Sequence, residues 1–380
     1  MSADEAERGT AGRRLGDEQR LAWLRLIRSE NVGPATFRQL LNHFGSAAAA
    51  IAGLPELSRR GGARRVPRIA TVAEAEAEMA AAARAGARFA ALGEADYPPM
   101  LRLIDAPPPL LAVRGDGAAL VRQSVAVVGA RNASIAGKTM ADRIARGLGG
   151  AGLVVTSGLA RGIDAAAHEA AVATGTVAVL AGGLDRVYPA EHLPLVERIV
   201  AAGGAAISEM PFGWEPRAQD FPRRNRLISG TSLAVVVVEA ARRSGSLHTA
   251  RFALEQGREV FAVPGSPLDP RTEGCNHLIR EGATLITSAD DVLAALEPLL
   301  GRPPPDAGAA EPADSEPFAG EPDDRDRAAV VEALGPAPVP VDAVVRHTGL
   351  PVATVLVILL ELDLAGRLER HAGGLISRIF

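Results

Sequence analysis

The sequence predicts an α/β protein whose centre is an extended Rossmann-like, doubly wound and mostly parallel sheet, with a helical domain before it and a winged-helix domain after it. The first observation is a series of short apolar runs between about residues 87 and 300 in which polar residues do not alternate with apolar ones. Such runs are typical of strands buried on both faces. The second is that helical stretches of 10–14 residues separate most of these runs, an order that favours parallel strands. The third is the length of 380 residues, which suggests two or three domains.

The composition indicates a soluble globular protein without disulfides. Hydrophobic residues make up 47%, charged residues 23% and aromatic residues 3% of the chain. A single cysteine, Cys275, excludes a disulfide framework and a cysteine-based zinc site, and we expect no cofactor or metal. No apolar run approaches the ~18 residues of a membrane span, and residues 1–20 lack the apolar stretch of a signal peptide. We therefore expect a cytoplasmic protein with no membrane partner.

Charge is unevenly distributed along the chain. The net charge is −4, yet residues 302–324 alone carry seven acids against one base, Arg302, so the rest of the chain is at +2. This segment lies in a linker rich in proline and acid, predicted at 301–325. Only one lysine is present, Lys138, so nearly all positive charge is arginine, whose planar guanidinium can hold a phosphate with two hydrogen bonds.

The first elements in the chain are predicted to be helical. Residues 1–16 are expected to form a disordered tail, and residues 17–70 an N-terminal helical domain that ends in a flexible basic linker at 59–68. The turn Val32-Gly33-Pro34 between two helices resembles a helix-hairpin-helix, in a SAM-like or helix-hairpin-helix-like domain, whose backbone amides can contact phosphate. The alternative, a helical module that only packs, is the more common case.

The sheet domain is predicted at residues 71–300. A helix rich in alanine is expected at about 71–85, and extended segments near Phe89 and at Leu110–Val113 are expected before the first core strand. Core strands are predicted at Val125–Val128, Leu153–Thr156, Val177–Leu180, Ala205–Ser208, Leu233–Val238, Val260–Val263 and Thr284–Ile286.

Residues 326–380 show the winged-helix pattern of three helices and a hairpin that turns at Gly373-Gly374. The third helix of such a domain normally reads DNA. Here that helix, Val352–Leu364, is largely apolar and has no basic residue. A protein-binding winged helix is therefore favoured over one that reads DNA.

Ligands bind beyond the carboxyl ends of the strands in open α/β sheets, so the loops there are informative. The first core strand is followed by residues 129–134 and then by Gly137-Lys138-Thr139, which invites a P-loop interpretation. The P-loop pattern, however, needs glycine at position 132, which is Asn132, and the strand ending in Glu239 imitates a Walker B strand only as any buried strand ending in an acid would. The glycine pattern and the distal acid of a dinucleotide site are also missing. Neither an ATPase nor a nicotinamide dehydrogenase is favoured.

The second core strand runs into the glycine-rich loop Ser157–Asp164. Glycines let the backbone approach a ligand, and the N-terminus of the following helix offers amides to a phosphate. Asp164 is expected to be the N-cap of that helix and His168 to pack beneath it. The alternative is a tight strand–helix turn without a ligand. We expect the loop to bind phosphate while Asp164 and His168 serve mainly the structure.

The densest basic cluster lies at residues 220–226, where three arginines surround Asn225 next to Phe221. Arginines can hold phosphates, and a phenylalanine can stack on a base. A charged run is usually only solvated surface, but this one lies between two core strands at the ligand end of the sheet, which favours a functional site. A further Gly/Ser turn, Ser244–Ala250, either binds phosphate or only begins a helix. Because no catalytic relay is recognisable, the site is predicted to hold a polyanion and not to perform chemistry.

Together these loops resemble the DNA-processing protein A family, also called Smf. The resemblance covers about residues 90–290, and the helical front and winged-helix tail suit the layout of that family. The matching motifs are Tyr97-Pro98, Val128–Ser134, Ser157–Asp164 with His168, Gly182–Asp185, Tyr188-Pro189, Ile207–Glu209, Phe221–Arg226, Ser244–Ser246, Thr249-Ala250 and Pro264-Gly265.

The resemblance implies a protein that is not an enzyme and that binds single-stranded DNA during natural transformation and recombination. It implies that the protein protects incoming DNA, helps to load a RecA-type recombinase and forms a homodimer through the Rossmann-like domain. The phosphate-binding turn of the family corresponds to Gly129, Ala130 and Arg131, and Ala130 lacks the hydroxyl group that usually donates there. The residues predicted to contact DNA are Gly129, Arg131, Ser134, Ser157, Gly158, Arg161, Gly162, Phe221, Arg223, Arg224, Asn225, Arg226, Ser244, Gly245 and Thr249.

Two other classes of function stay open at this point. One is a nucleotide-binding enzyme of the related phosphoribohydrolase superfamily, which is marked by a Pro-Gly-Gly-x-Gly-Thr loop and a catalytic glutamate. The nearest segments here, Pro264-Gly265 and Ala181-Gly182-Gly183, do not fit that loop. Release of free base from a nucleoside monophosphate would identify such an enzyme. The other is a scaffold that only bridges proteins and does not bind DNA.

Overall fold

The computed structural model describes residues 14–302 and 322–379 of the chain, and these fall into two units. We call the described residues from Glu78 to 302 the sheet unit. Leu15–Ala77 and residues 322–379 together form the helical unit. The first and last parts of the chain thus share one unit, although they are separated by more than two hundred residues of sequence.

The predicted tail and the two predicted linkers differ in how far the structure describes them. Most of the tail at 1–16 and of the acidic linker at 301–325 lies outside the described residues. The basic segment predicted as a flexible linker begins inside a helix, which ends at Arg60. Arg59 pairs there with Glu56 at 2.7 Å, one turn earlier. The expectation of a flexible Arg59 is therefore wrong, and the domain boundaries themselves stay predictions.

Helices form where apolar residues recur every three or four positions. The helices of the described residues are α1 (Asp17–Ile27), α2 (Pro34–Phe44), α3 (Ala47–Arg60), α4 (Val72–Arg84), α5 (Ala118–Val121), α6 (Ile135–Gly150), α7 (Ile163–Ala171), α8 (Leu193–Ala201), α9 (Asp220–Gly230), α10 (Ser246–Glu255), α11 (Glu273–Arg280), α12 (Ala289–Leu296), α13 (Asp324–Ala333), α14 (Val341–Thr348) and α15 (Val352–Leu364). Short 3₁₀ turns lie at Met100–Leu103, Ala190–His192 and Ala372–Gly374. Helix α2 begins with Pro34, whose missing N–H is not needed in a first turn.

The sheet unit contains a nine-stranded sheet in the order β1-β2-β6-β5-β4-β3-β7-β8-β9. Its strands are β1 (Ala87–Ala91), β2 (Leu110–Gly115), β3 (Ser124–Val128), β4 (Val154–Ser157), β5 (Thr176–Val179), β6 (Ala205–Ser208), β7 (Ala234–Val237), β8 (Glu259–Ala262) and β9 (Thr284–Leu285). Strands β3 to β9 are parallel, whereas β2 is antiparallel to both β1 and β6. The predicted fold class is confirmed, and each core strand lies within one residue of its predicted run.

Both faces of the parallel sheet are covered by helices, which explains the continuous apolar strands. In β3, Val125 and Val127 pack with α6, α7 and α12, while Ala126 and Val128 pack on the opposite face with α9 and α10. The strand order reverses at β3, because its parallel neighbours are β4 on one side and β7 on the other. A crevice forms at the carboxyl ends of the strands at such a reversal, and this is where ligands bind in open sheets.

The helical unit joins the N-terminal helices to the winged-helix domain. Helix α15 packs against α2 and α3, and its Leu360 and Leu364 share an apolar core with Leu26, Leu40 and Leu54. The wing is a three-stranded sheet in the order β10-β12-β11. Its strands are β10 (Val339–Pro340), β11 (Leu368–Arg370) and β12 (Leu375–Arg378). The helix that reads DNA in other winged-helix domains is thus covered here by helices of the same chain.

Polar contacts fix this packing. Thr36 donates a hydrogen bond from its hydroxyl to Asp363 Oδ2 at 2.8 Å, and Asn31 donates from Nδ2 to the carbonyl of Leu364 at 3.0 Å.

Among the described residues no single helix is long and apolar enough to cross a bilayer. Helices α14 and α15 reach the required length and apolarity only as a pair, which is bent by 118°.

Candidate nucleic-acid interface

The loops that follow β3, β4 and β7 meet at the carboxyl end of the sheet, and two glycines allow this close approach. A Cβ atom at Gly129 would lie 2.6 Å from Ile163 Cγ1 and 2.9 Å from the carbonyl of Glu239. Gly162 has a φ of 78°, and a Cβ atom there would lie 2.2 Å from the carbonyl of Ala130. Side chains rarely adopt the φ of Gly162, and neither position has room for a side chain, so both glycines serve the contact between the loops.

The N-terminus of α6 already holds a carboxylate. Ser134 is the N-cap, and its hydroxyl accepts a hydrogen bond from Gly137 N at 2.9 Å while it donates to Glu239. Ser134 N also donates to Glu239 Oε2 at 2.9 Å. Glu239 is buried, and its carboxylate therefore occupies the position that a phosphate takes at other helix N-termini. Ser134 is half-buried, and both its hydroxyl and its amide are engaged within the protein.

The loop after β4 is arranged around a buried arginine. Arg224 is buried and donates from Nη1 to the carbonyls of Val179, at 2.6 Å, and of Gly158. Burial lowers the pKa of Arg224 to about 10, so the guanidinium stays protonated at neutral pH. A Cβ atom at Gly158 would lie 2.5 Å from the same Nη1, which explains the glycine. The hydroxyl of Ser157 donates to the carbonyl of Val127 at 2.6 Å.

Asp164 has a different role from the one predicted. The N-cap of α7 is Gly162, and Asp164 lies in the first turn of the helix. Its carboxylate accepts hydrogen bonds from Gly158 N at 3.1 Å and Ala160 N at 3.3 Å, so it closes the loop before the helix. The N-cap prediction was wrong because α7 begins at Ile163, two residues earlier than an N-cap at Asp164 requires. Burial raises the pKa of Asp164.

His168 packs beneath the loop, as predicted. It is fully buried, and its Nδ1 lies 2.7 Å from the hydroxyl of Thr176. That hydroxyl donates its hydrogen to the carbonyl of Val155 at 2.6 Å, so it can only accept from His168, whose neutral ring carries the proton on Nδ1. Burial lowers the pKa of His168 to about 3. The ring is therefore neutral at physiological pH.

The arginines of α9 divide between surface and interior. Glu209 is buried and accepts hydrogen bonds from Arg223 Nε, at 3.0 Å, and from Arg226 Nη2. Arg226 also donates to a backbone carbonyl at 2.7 Å and is only 16% exposed, whereas Arg223 is 46% exposed. Asn225 donates from Nδ2 to the carbonyl of Gly245 at 3.1 Å and so ties α9 to the loop after β7. Of these residues, Arg223 can reach a ligand.

Three side chains form what we call the aromatic platform: Tyr188, Phe221 and Arg131. The rings of Tyr188 and Phe221 meet edge to face, with centroids 5.5 Å apart. The guanidinium carbon of Arg131 lies 4.9 Å from the centroid of Phe221. Tyr188 is 50% exposed, Phe221 is half-buried and Arg131 is exposed. The platform therefore presents an aromatic surface and a cation together at the surface of the sheet unit.

Tyr188 is not among the predicted contact residues, although the motif Tyr188-Pro189 is one of the matching motifs of the sequence. The signal for it was an aromatic residue in a chain with few aromatics, within a loop that follows a core strand. A second arginine–aromatic pair adjoins α9, where Arg217 lies 4.6 Å from the ring centroid of Trp214. Both pairs belong to the segments that surround the carboxyl end of the sheet.

The predicted contact residues differ in their exposure. Arg161 is exposed and forms a bidentate ion pair with Glu191 at 2.6 and 2.8 Å. The exposed members of the predicted set are Arg131, Arg161, Arg223 and Gly245. The half-buried members are Gly129, Ser134, Gly162, Phe221, Arg226 and Ser244. The buried members are Ser157, Gly158, Arg224, Asn225 and Thr249. The structure thus brings the predicted residues to one end of the sheet, and only some of them reach solvent.

Within the described residues, no group of three or more His, Cys, Asp or Glu side chains could hold a metal ion. Cys275 is buried, and burial raises the pKa of its thiol to about 12. The thiol is therefore protonated at neutral pH. The exposed cations at the carboxyl end of the sheet include Arg131, Arg161 and Arg223, and they lie with the rings of Tyr188 and Phe221, a set that suits an anion with flat bases better than a metal.

Three successive parts of the chain match known protein families. A family described as DNA recombination-mediator protein A matches residues 88–297. A DprA-like N-terminal HHH domain matches residues 17–81, and a DprA winged helix domain matches residues 307–374. Protein Smf of Escherichia coli is 43% identical over 284 residues, which cover 73% of this chain and 74% of that protein. The DNA processing protein DprA of Streptococcus pneumoniae is 46% identical over 203 residues, 53% of this chain and 71% of that protein.

Two solved structures are similar to this one. That of DNA processing protein A from Streptococcus pneumoniae has a TM-score of 0.60 and 35% identity, and the match covers 74% of this chain and 98% of that chain. The other is of DNA processing protein A from Helicobacter pylori, whose single-stranded DNA binding mode that structure addresses. It has a TM-score of 0.51 and 28% identity and covers 56% of this chain and 96% of that chain.

Proposed function

Because this chain belongs to the DNA recombination-mediator protein A family, we propose that it binds single-stranded DNA at the carboxyl end of its parallel sheet. The family membership confirms the resemblance predicted from the loop motifs. The observation that carries the proposal is the aromatic platform, in which Arg131 lies over Phe221 beside the exposed Tyr188. An aromatic surface with a cation beside it fits a single strand, which offers flat bases and a charged backbone.

The aromatic side chains contact the bases of the strand, and the exposed arginines contact its phosphates. Bases stack on the platform, a contact that tolerates any sequence because every base has a π-face. Arg161 and Arg223, which are exposed, contact phosphates together with Arg131. Their present partners, Glu191 and Glu209, are exchanged for phosphate or shared with it. Binding is therefore expected to depend on salt and only weakly on sequence.

The buried members of the predicted set, and the half-buried Ser134, act by positioning. Arg224 joins the ends of β4 and β5, and Asn225 joins α9 to the loop after β7. Ser134 holds the carboxylate of Glu239 at the start of α6. Substitutions at these residues therefore disturb the shape of the loops and only indirectly the affinity for DNA.

We further propose that the chain binds DNA without performing catalysis on it. The alternative, a phosphoribohydrolase, needs a catalytic glutamate. Glu239 is the acid at the end of β7, and it is buried and bound by Ser134. His168 is neutral and buried, with its Nδ1 proton donated to Thr176. An assay for free base released from a nucleoside monophosphate tests this point, and release above the buffer control would contradict it.

The finer parts of the function rest on the family. We propose that the chain acts in the cytoplasm, where it protects single strands that enter during natural transformation, helps to load a RecA-type recombinase and works as a homodimer. Loading of the recombinase is tested by strand exchange on DNA already covered by a single-strand binding protein. Addition of this chain should shorten the lag, and an unchanged lag would contradict the proposal.

The platform is tested by fluorescence anisotropy with a labelled oligothymidylate. Phe221→Ala should weaken binding by about 1–3 kcal/mol per stacked base, with little change in the salt dependence, because stacking involves no counterion release. The matched control is Phe252→Ala on α10, where Arg251 lies 5.3 Å from the ring centroid in a similar arginine–aromatic pair. Equal affinity of Phe221→Ala and the wild type would show that no base stacks on the platform.

A further inference from the structure

The helical unit contains a cavity of about 710 Å³ with a strongly basic lining. One wall is the end of α3 and the loop after it, and the other is the end of α15 with the last strand of the wing. Its charged lining consists of four guanidinium groups and one carboxylate, namely Arg64, Arg65, Arg367, Arg378 and Glu30. The volume lies in the range of sites that bind small ligands, about 300–1,000 Å³. This cavity belongs to a different unit from the sheet loops and has no part in the proposed function.

Glu30 is the single acid among the described residues that line the cavity, and it is already engaged. Glu30 accepts two hydrogen bonds from Arg65, at 2.9 Å and 2.5 Å, and one from Arg68 N at 2.9 Å. These bonds, chiefly that of the Arg65 side chain, lower the pKa of Glu30, so it is ionised at neutral pH. The negative charge of the cavity is thus matched by one arginine, and three further guanidinium groups line the same space.

The backbone at Gly61 and Gly62 holds and makes room for the guanidinium of Arg367. Arg367 donates from Nη1 to the carbonyl of Gly61 at 3.0 Å, which holds its guanidinium at the wall. Gly62 has a φ of 84°, and a Cβ atom there would lie 2.4 Å from the same Nη1. A side chain at this position would therefore displace the guanidinium. Arg64 lies two residues farther along and is exposed.

The C-terminal end of α15 also lines the cavity, and a helix C-terminus normally repels anions. Here its last carbonyls are occupied by donors. The carbonyl of Leu364 accepts from Asn31 Nδ2 at 3.0 Å and from the hydroxyl of Ser58 at 3.4 Å, and the carbonyl of Leu362 accepts from Arg367 N at 2.9 Å. These donors satisfy the last carbonyls of the helix, so the charge that the described lining residues offer a ligand comes from the three guanidinium groups that Glu30 does not match.

We propose that this cavity binds a phosphate-rich anion, with Arg64 and Arg367 as its principal contacts. No aromatic side chain lines it among the described residues, so the site recognises phosphate and not a base. Two sources share this chemistry: the polyphosphate of a free nucleotide and the backbone of a nucleic-acid strand. The cavity therefore gives the helical unit an anion site of its own, formed jointly by the N-terminal helices and the winged helix.

The first test is isothermal titration calorimetry of the full chain with inorganic tripolyphosphate. Arg64→Ala should weaken binding by about tenfold, the effect of one charge-assisted hydrogen bond. Glu30→Gln removes the only acid found among the described lining residues at nearly constant volume and should tighten binding, a gain that a folding defect would not produce. The control is Arg59→Ala, an exposed arginine of α3 that does not line the cavity, and it should titrate as the wild type does.

The second arm identifies the source of the phosphate and uses an oligothymidylate at several salt concentrations. If Arg64→Ala lowers the magnitude of the log–log salt slope by about 0.7, the site holds one phosphate of a strand. If that slope is unchanged while tripolyphosphate binding is lost, the ligand is a free polyphosphate. Wild-type behaviour of both Arg64→Ala and Glu30→Gln in both arms would overturn the proposal. The Phe221→Ala experiment is unaffected by this result, so the two proposals fail separately.

Discussion

At the scale of residues, arginine serves two purposes at the carboxyl end of the sheet. Arg224 is buried and bonds to backbone carbonyls of two strand ends, where it acts as a fixed part of the scaffold. Arg131 is exposed, and its guanidinium lies over the ring of Phe221. A buried guanidinium cannot reach a phosphate without breaking its bonds, whereas an exposed one can do so at little cost.

We therefore predict that Arg131→Ala lowers affinity for single-stranded DNA and flattens the log–log salt slope by about 0.7, because one phosphate contact is lost. Base sequence should have little influence on this loss. The measurement is affinity for an oligothymidylate at several salt concentrations. Arg59→Ala, at an arginine that is 74% exposed and paired with Glu56, should keep the wild-type slope. The opposite result, with the slope lost only in Arg59→Ala, would place the strand along the helical unit.

A second prediction at this scale concerns pH. Burial keeps the pKa of His168 near 3, below its ordinary value of 6.5, so the unfolded chain binds a proton that the folded chain does not. The stability that neutral His168 provides is complete above pH 6.5 and is lost as the pH falls from 6.5 towards 3. The loss has a slope of up to about 1.4 kcal/mol per pH unit. Asp164, whose pKa is raised by burial, contributes with the opposite sign at acidic pH.

The variant His168→Gln isolates the histidine from the other groups. Its free energy of unfolding, measured by urea denaturation between pH 4 and 7, should be lower than that of the wild type at pH 7. The difference should shrink as the pH falls. His248→Gln, at an exposed histidine of α10, should keep the wild-type pH dependence. A constant difference between His168→Gln and the wild type at every pH would mean that the ring is not titrating.

The sequence predicted which residues gather at this site but not which of them face solvent. Arg223 and Arg224 are adjacent in a helix start, and a helix turns by about 100° per residue, so neighbours point in different directions. The sequence does not show which direction is buried, because that depends on Glu209 and on the strand ends that pack against α9. In the sequence Glu239 is recognisable only as an acid after a strand, since its pairing with Ser134 joins residues about one hundred positions apart.

At the scale of elements, α15 occupies the position of the helix that reads DNA in other winged-helix domains, but helices of the same chain cover it. Eight of its thirteen residues are buried. Its bounds, Val352–Leu364, were predicted from the sequence, and so was the absence of basic residues. An apolar character on all sides indicates a helix covered on more than one face. The apolar residues of this helix therefore indicate a second packing partner, although local periodicity cannot identify that partner as α2 and α3.

The contact between α3 and α15 predicts the effect of a small substitution. A Cβ atom at Gly61 would lie 1.9 Å from the carbonyl oxygen of Glu361, a contact with backbone that cannot be relieved by a rotamer change. Gly61→Ala should therefore force α15 away from α3 and destabilise the helical unit by about 1–3 kcal/mol. The measurement is amide hydrogen exchange, where protection should fall in α2, α3 and α15.

Gly33→Ala is the matched control for this substitution. Its φ is −92° and a Cβ atom there meets no other atom within 4 Å, so alanine is accommodated. The backbone of Gly61, with a φ of −68°, also suits alanine, and the expected effect is therefore steric. Equal exchange protection in Gly61→Ala and Gly33→Ala would show that α3 and α15 do not touch as described.

At the scale of the whole molecule, the order of elements was predictable and the assembly of the helical unit was not. Alternating strands and helices define the sheet unit because its contacts are largely between successive segments. The helical unit joins residues that are more than three hundred positions apart, as in the hydrogen bond from Thr36 to Asp363. A pattern read over ten or fifteen residues carries no information about such a pairing.

This assembly makes a prediction for the chain without residues 303–380. The sheet unit keeps its own core and all residues of the aromatic platform, so affinity for single-stranded DNA should stay within about twofold of the wild type, as for independent sites. The N-terminal helices lose Leu360 and Leu364 from their core, each worth about 1.5–3 kcal/mol of burial, so α1 to α3 should lose their protection from hydrogen exchange. Measuring affinity and exchange on the same sample separates the two effects. Loss of DNA binding while the sheet unit stays protected would show that the helical unit holds the strand, through its basic cavity or another surface, and that the platform does not suffice.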